Sequence, residues 1–126
     1  MTSAEDVRNS DLIHITEKIH DDVVQISLEG RFDANTCRDV EKFIQQRIEK
    51  GSYRFVLDME KVSFIASAGL RVVLVFAKEL RRKYKGGDLR IAEAQEGVVK
   101  VFSISGLHNV MKFFDHTDEA VRSFAN

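Results

Sequence analysis

Apolar Val24, Ile26 and Leu28 alternate with polar Gln25, Ser27 and Glu29, the period-2 pattern of a strand with one wet face. The segment Leu12 to Lys18 stands ready to pair with it through a turn at His20, Asp21 and Asp22, so an opening hairpin is expected. Gly30 is expected to break that strand. Asp33 or Asn35 can then cap a helix whose Val40, Phe43, Ile44 and Ile48 follow helical spacing, with Gly51 as its stop. Arg54 to Met59 is a nearly continuous apolar run, as expected of an interior strand covered on both faces, and it is the expected centre of the sheet.

After Lys61 a brief extended piece gives way at Ser67 to a helix expected to run to about Lys85. Leu70, Val73, Leu74, Ala77, Leu80 and Tyr84 form the stripe that should face the sheet. Val72, Val75 and Phe76 fall outside it. Either this helix is covered on a second side or it presents a small apolar patch beside Ser67. Leu89 to Glu93 reads as a strand and Glu96 to Ser105 as a short helix carrying Val98, Val101 and Phe102. Val110 to Phe114 reads as a last strand, and Thr117 caps a final helix with Ala120, Val121 and Phe124 inward. The order β-β-α-β-α-β-α-β-α predicts a single α/β domain, a mixed sheet with about four helices packed against it. Residues 1–11 are expected to be a loosely ordered tail and residues 12–126 the domain.

Composition narrows the function. The chain has 126 residues, 44% hydrophobic and 31% charged, with a formal net charge of −1, an ordinary globular balance. Its longest apolar run, Val72 to Ala77, is far short of the roughly 20 residues that cross a bilayer. The first twelve residues show no apolar signal core, so a soluble, cytoplasmic protein is expected. Charge is uneven, −4 over residues 1–63 and +3 over 64–126, and the largest basic group is Lys78, Arg81, Arg82, Lys83 and Lys85. These fall in the last turns of the long helix, where cations complement the helix terminus. A nucleic-acid reader would be basic overall and interleave aromatics with its cations, so direct nucleic-acid binding is not expected.

Few residues suggest catalysis. Cys37 is the single cysteine, which excludes an internal disulfide and reads as a half-buried helix residue. His14, His20, His108 and His116 have no metal-protease spacing, and no metal or cofactor is implied. Ile65-Ala66-Ser67-Ala68-Gly69 lacks the first glycine of a nucleophile elbow. With no phosphate-cradling glycine loop either, an enzyme is not expected. Ser67 stands out as a hydroxyl at a helix N-terminus, where it can act as a cap. The same position tolerates a phosphate.

Five short pieces carry a resemblance: Gly30-Arg31-Phe32-Asp33, Val56-Leu57-Asp58, Val62-Ser63-Phe64-Ile65, Ser67-Ala68-Gly69-Leu70 and Val101-Phe102-Ser103-Ile104-Ser105-Gly106-Leu107. Their order and spacing from Leu12 to Phe124 resemble the STAS domains, and within them the bacterial anti-sigma factor antagonists. In that family the serine of an Asp-Ser-Ser/Thr/Ala-Gly-Leu pattern is phosphorylated by a partner that is both anti-sigma factor and serine kinase. The unphosphorylated antagonist binds this partner and frees the sigma factor, and the phosphorylated form lets go. The matching residue is Ser67, followed by Gly69 and Leu70; Ala66 replaces the family aspartate, and Ala68 leaves Ser67 the one acceptor in the motif. The resemblance implies a partner-facing surface of Phe32, Asp33, Ser67, Ala68, Gly69, Leu70, Val72, Val75 and Phe76. A second reading, favoured by Ala66, is an unphosphorylated STAS scaffold subunit of a transport or signalling assembly. Nucleotide binding, reported for some members of the fold, finds no phosphate cradle here beyond one helix N-terminus and is not expected.

Overall fold

Right-handed crossovers dictate the layout: strands that follow one another in parallel order through helices must carry those helices on one face. The computed structural model describes residues 5–9, as backbone, and 13–125. Six strands lie side by side in chain order: β1 (Glu5–Asn9), β2 (Ile13–His20), β3 (Val23–Phe32), β4 (Arg54–Ile65), β5 (Asp88–Ala92) and β6 (Phe113–Phe114). The first three are antiparallel, and β3 to β6 run parallel. The connecting helices α1 (Cys37–Glu49), α2 (Ser67–Lys83) and α3 (Glu96–Ile104) pack on one face. The last helix, α4 (Thr117–Arg122), packs on the other.

The alternating pattern of β3 sends Val24, Ile26 and Leu28 to the helical face, together with Ile13 and Ile15 of β2. The expected interior strand is central. Phe55, Leu57 and Met59 of β4 point to the three helices, and Val56 points to Ala120 and Phe124 on the far side. Every one of these side chains is fully or almost fully buried, each burial contributing roughly 1.5–3 kcal/mol for the larger residues. The opening hairpin turns at Asp21, φ 57°, as the expected Asp-rich turn requires.

Several expectations are corrected. Gly30 does not end its strand. At φ 128° it lets β3 slip its register against β4 and continue to Phe32, a bulge that a side chain would resist. The extended piece before Ser67 is the second half of one 12-residue strand, β4. The last strand shrinks to two residues, because Val110 and Met111 donate to the Leu107 carbonyl in a turn at 3.0 and 3.2 Å. Of the tail expected over residues 1–11, Glu5–Asn9 is β1, paired antiparallel with β2, and the remainder lies outside the described residues. Helix α2 ends at Lys83. Beyond it, Tyr84 stacks on Tyr53 with ring centroids 3.8 Å apart.

The basic group at the end of α2 is exposed, as expected of a solvated helix end. Arg82 and Lys83 pair with Glu79, and the Arg82 hydrogen bond, followed by that of Lys83, holds the Glu79 carboxyl below its ordinary range. Arg81 reaches across to the buried Asp88, which also accepts from Arg90. Among the described residues no helix is long and apolar enough to cross a membrane.

Candidate functional site

Three chain segments meet at the C-terminal end of β3 and β4, and together they set the position of Ser67. Phe32 pairs with Ile65 as the last rung of the β3–β4 ladder. The Phe32 carbonyl then accepts the Ala66 N–H at 3.0 Å, and the Ala66 carbonyl accepts the Leu70 N–H at 3.0 Å. The start of α2 is therefore hydrogen-bonded directly to the end of the neighbouring strand. Gly69 makes this approach possible. A Cβ there would sit 2.7 Å from the Phe32 carbonyl oxygen and 3.0 Å from its ring. Gly69→Ala is expected to lose about 1–3 kcal/mol, as overpacked sites do, read as a lower urea midpoint with an unchanged slope. An unchanged midpoint would mean the helix and strand separate without cost.

The loop between β3 and α1 is held by a residue that sequence reasoning missed. The expected cap is Asp33 or Asn35. The residue preceding α1 is instead Thr36, 1% exposed. Its hydroxyl donates to the Arg31 carbonyl at 2.7 Å and accepts the Asp33 N–H at 2.9 Å. Asp33 closes a tight turn, its Oδ1 accepting the Asn35 N–H at 2.9 Å. A threonine three residues after an aspartate is a weak signal, because the same pair occurs freely in exposed loops.

Ser67 is exposed, and among the described residues its hydroxyl has no hydrogen bond. It does not cap α2. The cap position is Ala66, in extended conformation at φ −113° and ψ 176°, with no side-chain bond to the helix. The first N–H groups of α2 thus lack a side-chain acceptor. Ala66→Asp is expected to raise stability by about 1 kcal/mol, a rise in Tm of roughly 4 °C for a domain of this size; a Tm that stays put would show those N–H groups to be adequately hydrated already.

The structure separates the residues expected to face a partner. Phe32 is 0% exposed, and Gly69, Leu70, Val72 and Phe76 are all buried. Val72 and Phe76 belong to the core because α2 packs against α1 as well as the sheet, so the second-side covering is the correct alternative. Ser67 and Val75 remain exposed, and Ala68 and Asp33 are half-buried. Val75, at 48%, borders a shallow groove between α1 and α2 lined by Ile48, Leu80 and Tyr84. Two further residues join this surface: Phe64, 40% exposed, and Arg31, whose guanidinium lies 4.2 Å over the Phe64 ring. Elsewhere, among the described residues, no three His, Cys, Asp or Glu side chains gather to hold a metal ion.

The profile of the STAS domain family matches residues 14–120. The chain belongs to the STAS domain family. BtrV of Bordetella bronchiseptica, a candidate anti-sigma factor antagonist, is 34% identical over 97 residues, which cover 77% of this STAS protein and 82% of BtrV. The anti-sigma F factor antagonist of Paenibacillus polymyxa is 26% identical over 110 residues, 86% of this chain and 92% of its own. Among solved structures, the anti-sigma factor antagonist SpoIIAA in its unphosphorylated form superposes with a TM-score of 0.73 at 25% identity, over 86% of this chain and 94% of SpoIIAA. The STAS fold and the family expected from the five sequence pieces are thus confirmed.

Proposed function

We propose that this STAS protein is an anti-sigma factor antagonist, a non-enzymatic cytoplasmic regulator of transcription that binds an anti-sigma factor with serine-kinase activity and is released when that partner phosphorylates Ser67. The observation that carries the reading is the free, exposed hydroxyl on the first residue of α2, at the position the family phosphorylates. The names of its relatives support the same role. In the transfer, Ser67 Oγ attacks the γ-phosphorus of the partner's nucleoside triphosphate. The Oγ–P bond forms, the bridging P–O bond breaks, the diphosphate leaves, and the hydroxyl proton passes to a base or solvent.

The surface that meets the partner is then Ser67, Ala68 and Val75 on α2 with Asp33, Arg31 and Phe64 beside them. The buried Phe32, Gly69, Leu70, Val72 and Phe76 act by holding that surface in place. The test is capture from native host lysate with wild-type and Ser67→Asp baits, with mass spectrometry that also maps phosphate on the native protein. Recovery of an anti-sigma factor kinase by the wild type alone, with a phosphopeptide spanning Ser67, is the expected result. Bare Ser67 in every growth phase, with both baits recovering the same non-kinase assembly, would replace this reading by the scaffold one.

A further inference from the structure

The exposed face that begins at Ser67 continues one helical turn later at Arg71. Residues four apart on a helix stand over one another, with Cβ atoms about 5–6 Å apart. The Arg71 side chain is exposed and, among the described residues, makes no ion pair or side-chain hydrogen bond. Its helical neighbours at three and four residues in either direction are Ser67, Ala68, Leu74 and Val75, none of them a carboxylate. The first turn of α2 contains no acidic residue at all. Ser67 is therefore the one helical neighbour of Arg71 that can become an anion.

The charged pair at the end of β3, Arg31 and Asp33, is already engaged. The Arg31 Nε lies 3.4 Å from Asp33 Oδ2 while its guanidinium covers the Phe64 ring, and the second Asp33 oxygen holds the Asn35 N–H. Further along α2, Glu79 is taken by Arg82 and Lys83. Arg71, one turn from Ser67 on the same helix, has no such partner among the described residues.

We propose that Arg71 is the built-in counter-ion of a phosphate on Ser67, an inference that rests on the regulatory reading above and names the residue that completes the switch. Without phosphate, Arg71 is a free cation on the partner-facing surface, suited to an acidic side chain of the partner. With phosphate, the guanidinium turns back one helical turn to bind it. One modification then adds an anion and withdraws a cation from the same surface. A partner matched to the unmodified face loses on both counts.

The test needs no partner. Phosphoserine is installed genetically at position 67 of the full chain, and its second ionisation is followed by phosphorus NMR. The midpoint in the otherwise wild-type chain is expected to lie roughly 0.3 unit below that of the Arg71→Ala variant, the size an exposed i,i+4 pair supports. Arg71→Lys should retain most of the difference, and Arg31→Ala should leave it unchanged. Dichroism melts of each variant establish that an exposed substitution has left the fold intact. Equal midpoints in the wild-type and Arg71→Ala chains, or midpoints that follow Arg31 instead, overturn the proposal. Because the phosphate is placed during synthesis, the result is independent of any kinase. A native protein without phosphate would defeat the regulatory reading while leaving this pairing measured on its own terms.

Discussion

Phe32→Ala is expected to cost about 3–5 kcal/mol, the range for deleting a buried aromatic side chain. That is a large share of the roughly 5–15 kcal/mol that holds a domain together. Phe32 is completely buried at the end of β3, packed under α2 with Gly69 against its ring. Its loss leaves a cavity at the junction that fixes Ser67. The urea midpoint should fall steeply. Loss of partner binding by this variant would follow from the displaced helix, so binding should return in part under stabilising osmolyte, which strengthens burial. A variant of wild-type stability that fails to bind would instead mean that the phenyl ring itself is exposed to the partner, contrary to its observed position.

Ser67→Asp should do the reverse. An aspartate at the first position of α2 meets the positive end of the helix dipole, a contribution of about 0.3–1 kcal/mol, so Tm should hold or rise slightly. Partner affinity should drop about a hundredfold, equivalent to about 2.7 kcal/mol, because the partner face matched to a neutral hydroxyl must desolvate a carboxylate for which it carries no counterpart. Calorimetry against the purified partner, paired with thermal melts, separates the two effects. Stability up and affinity down is the signature of a switch written on the surface. Unchanged affinity would remove Ser67 from the interface.

Much of this architecture is legible from residue pattern alone. The alternation in Val24 to Leu28 and the apolar run of Phe55 to Leu57 report their own burial, since period and run length follow from how many faces a strand hides. The strand β1 is not legible, because Glu-Asp-Val-Arg-Asn has no apolar alternation to announce it; its backbone bonds to β2 are invisible in side-chain pattern. Thr36 escapes notice for a related reason, as a buried hydroxyl is identified by its partners and not by its type. At the site, the motif points to Ser67, but it cannot distinguish the residues that face outward from those that hold them there. Val72, Val75 and Phe76 look alike in the sequence. Only the packing of α1 against α2 assigns Val72 and Phe76 to the core and leaves Val75 outside.

The hydrogen bond from the Ala66 N–H to the Phe32 carbonyl, and the seating of Gly69 beneath it, fasten the Ser67 turn to the centre of the molecule. A phosphate added there is expected to change charge and leave shape alone. The two forms will therefore share an elution volume and a sedimentation coefficient, and a gel that separates by size will not resolve them. Isoelectric focusing will, since a chain of net charge −1 moves to about −3, a large proportional change for a nearly neutral protein. If Ser67 is phosphorylated as proposed, the ratio of the two forms can then be read as two bands on an immunoblot of one focused lysate.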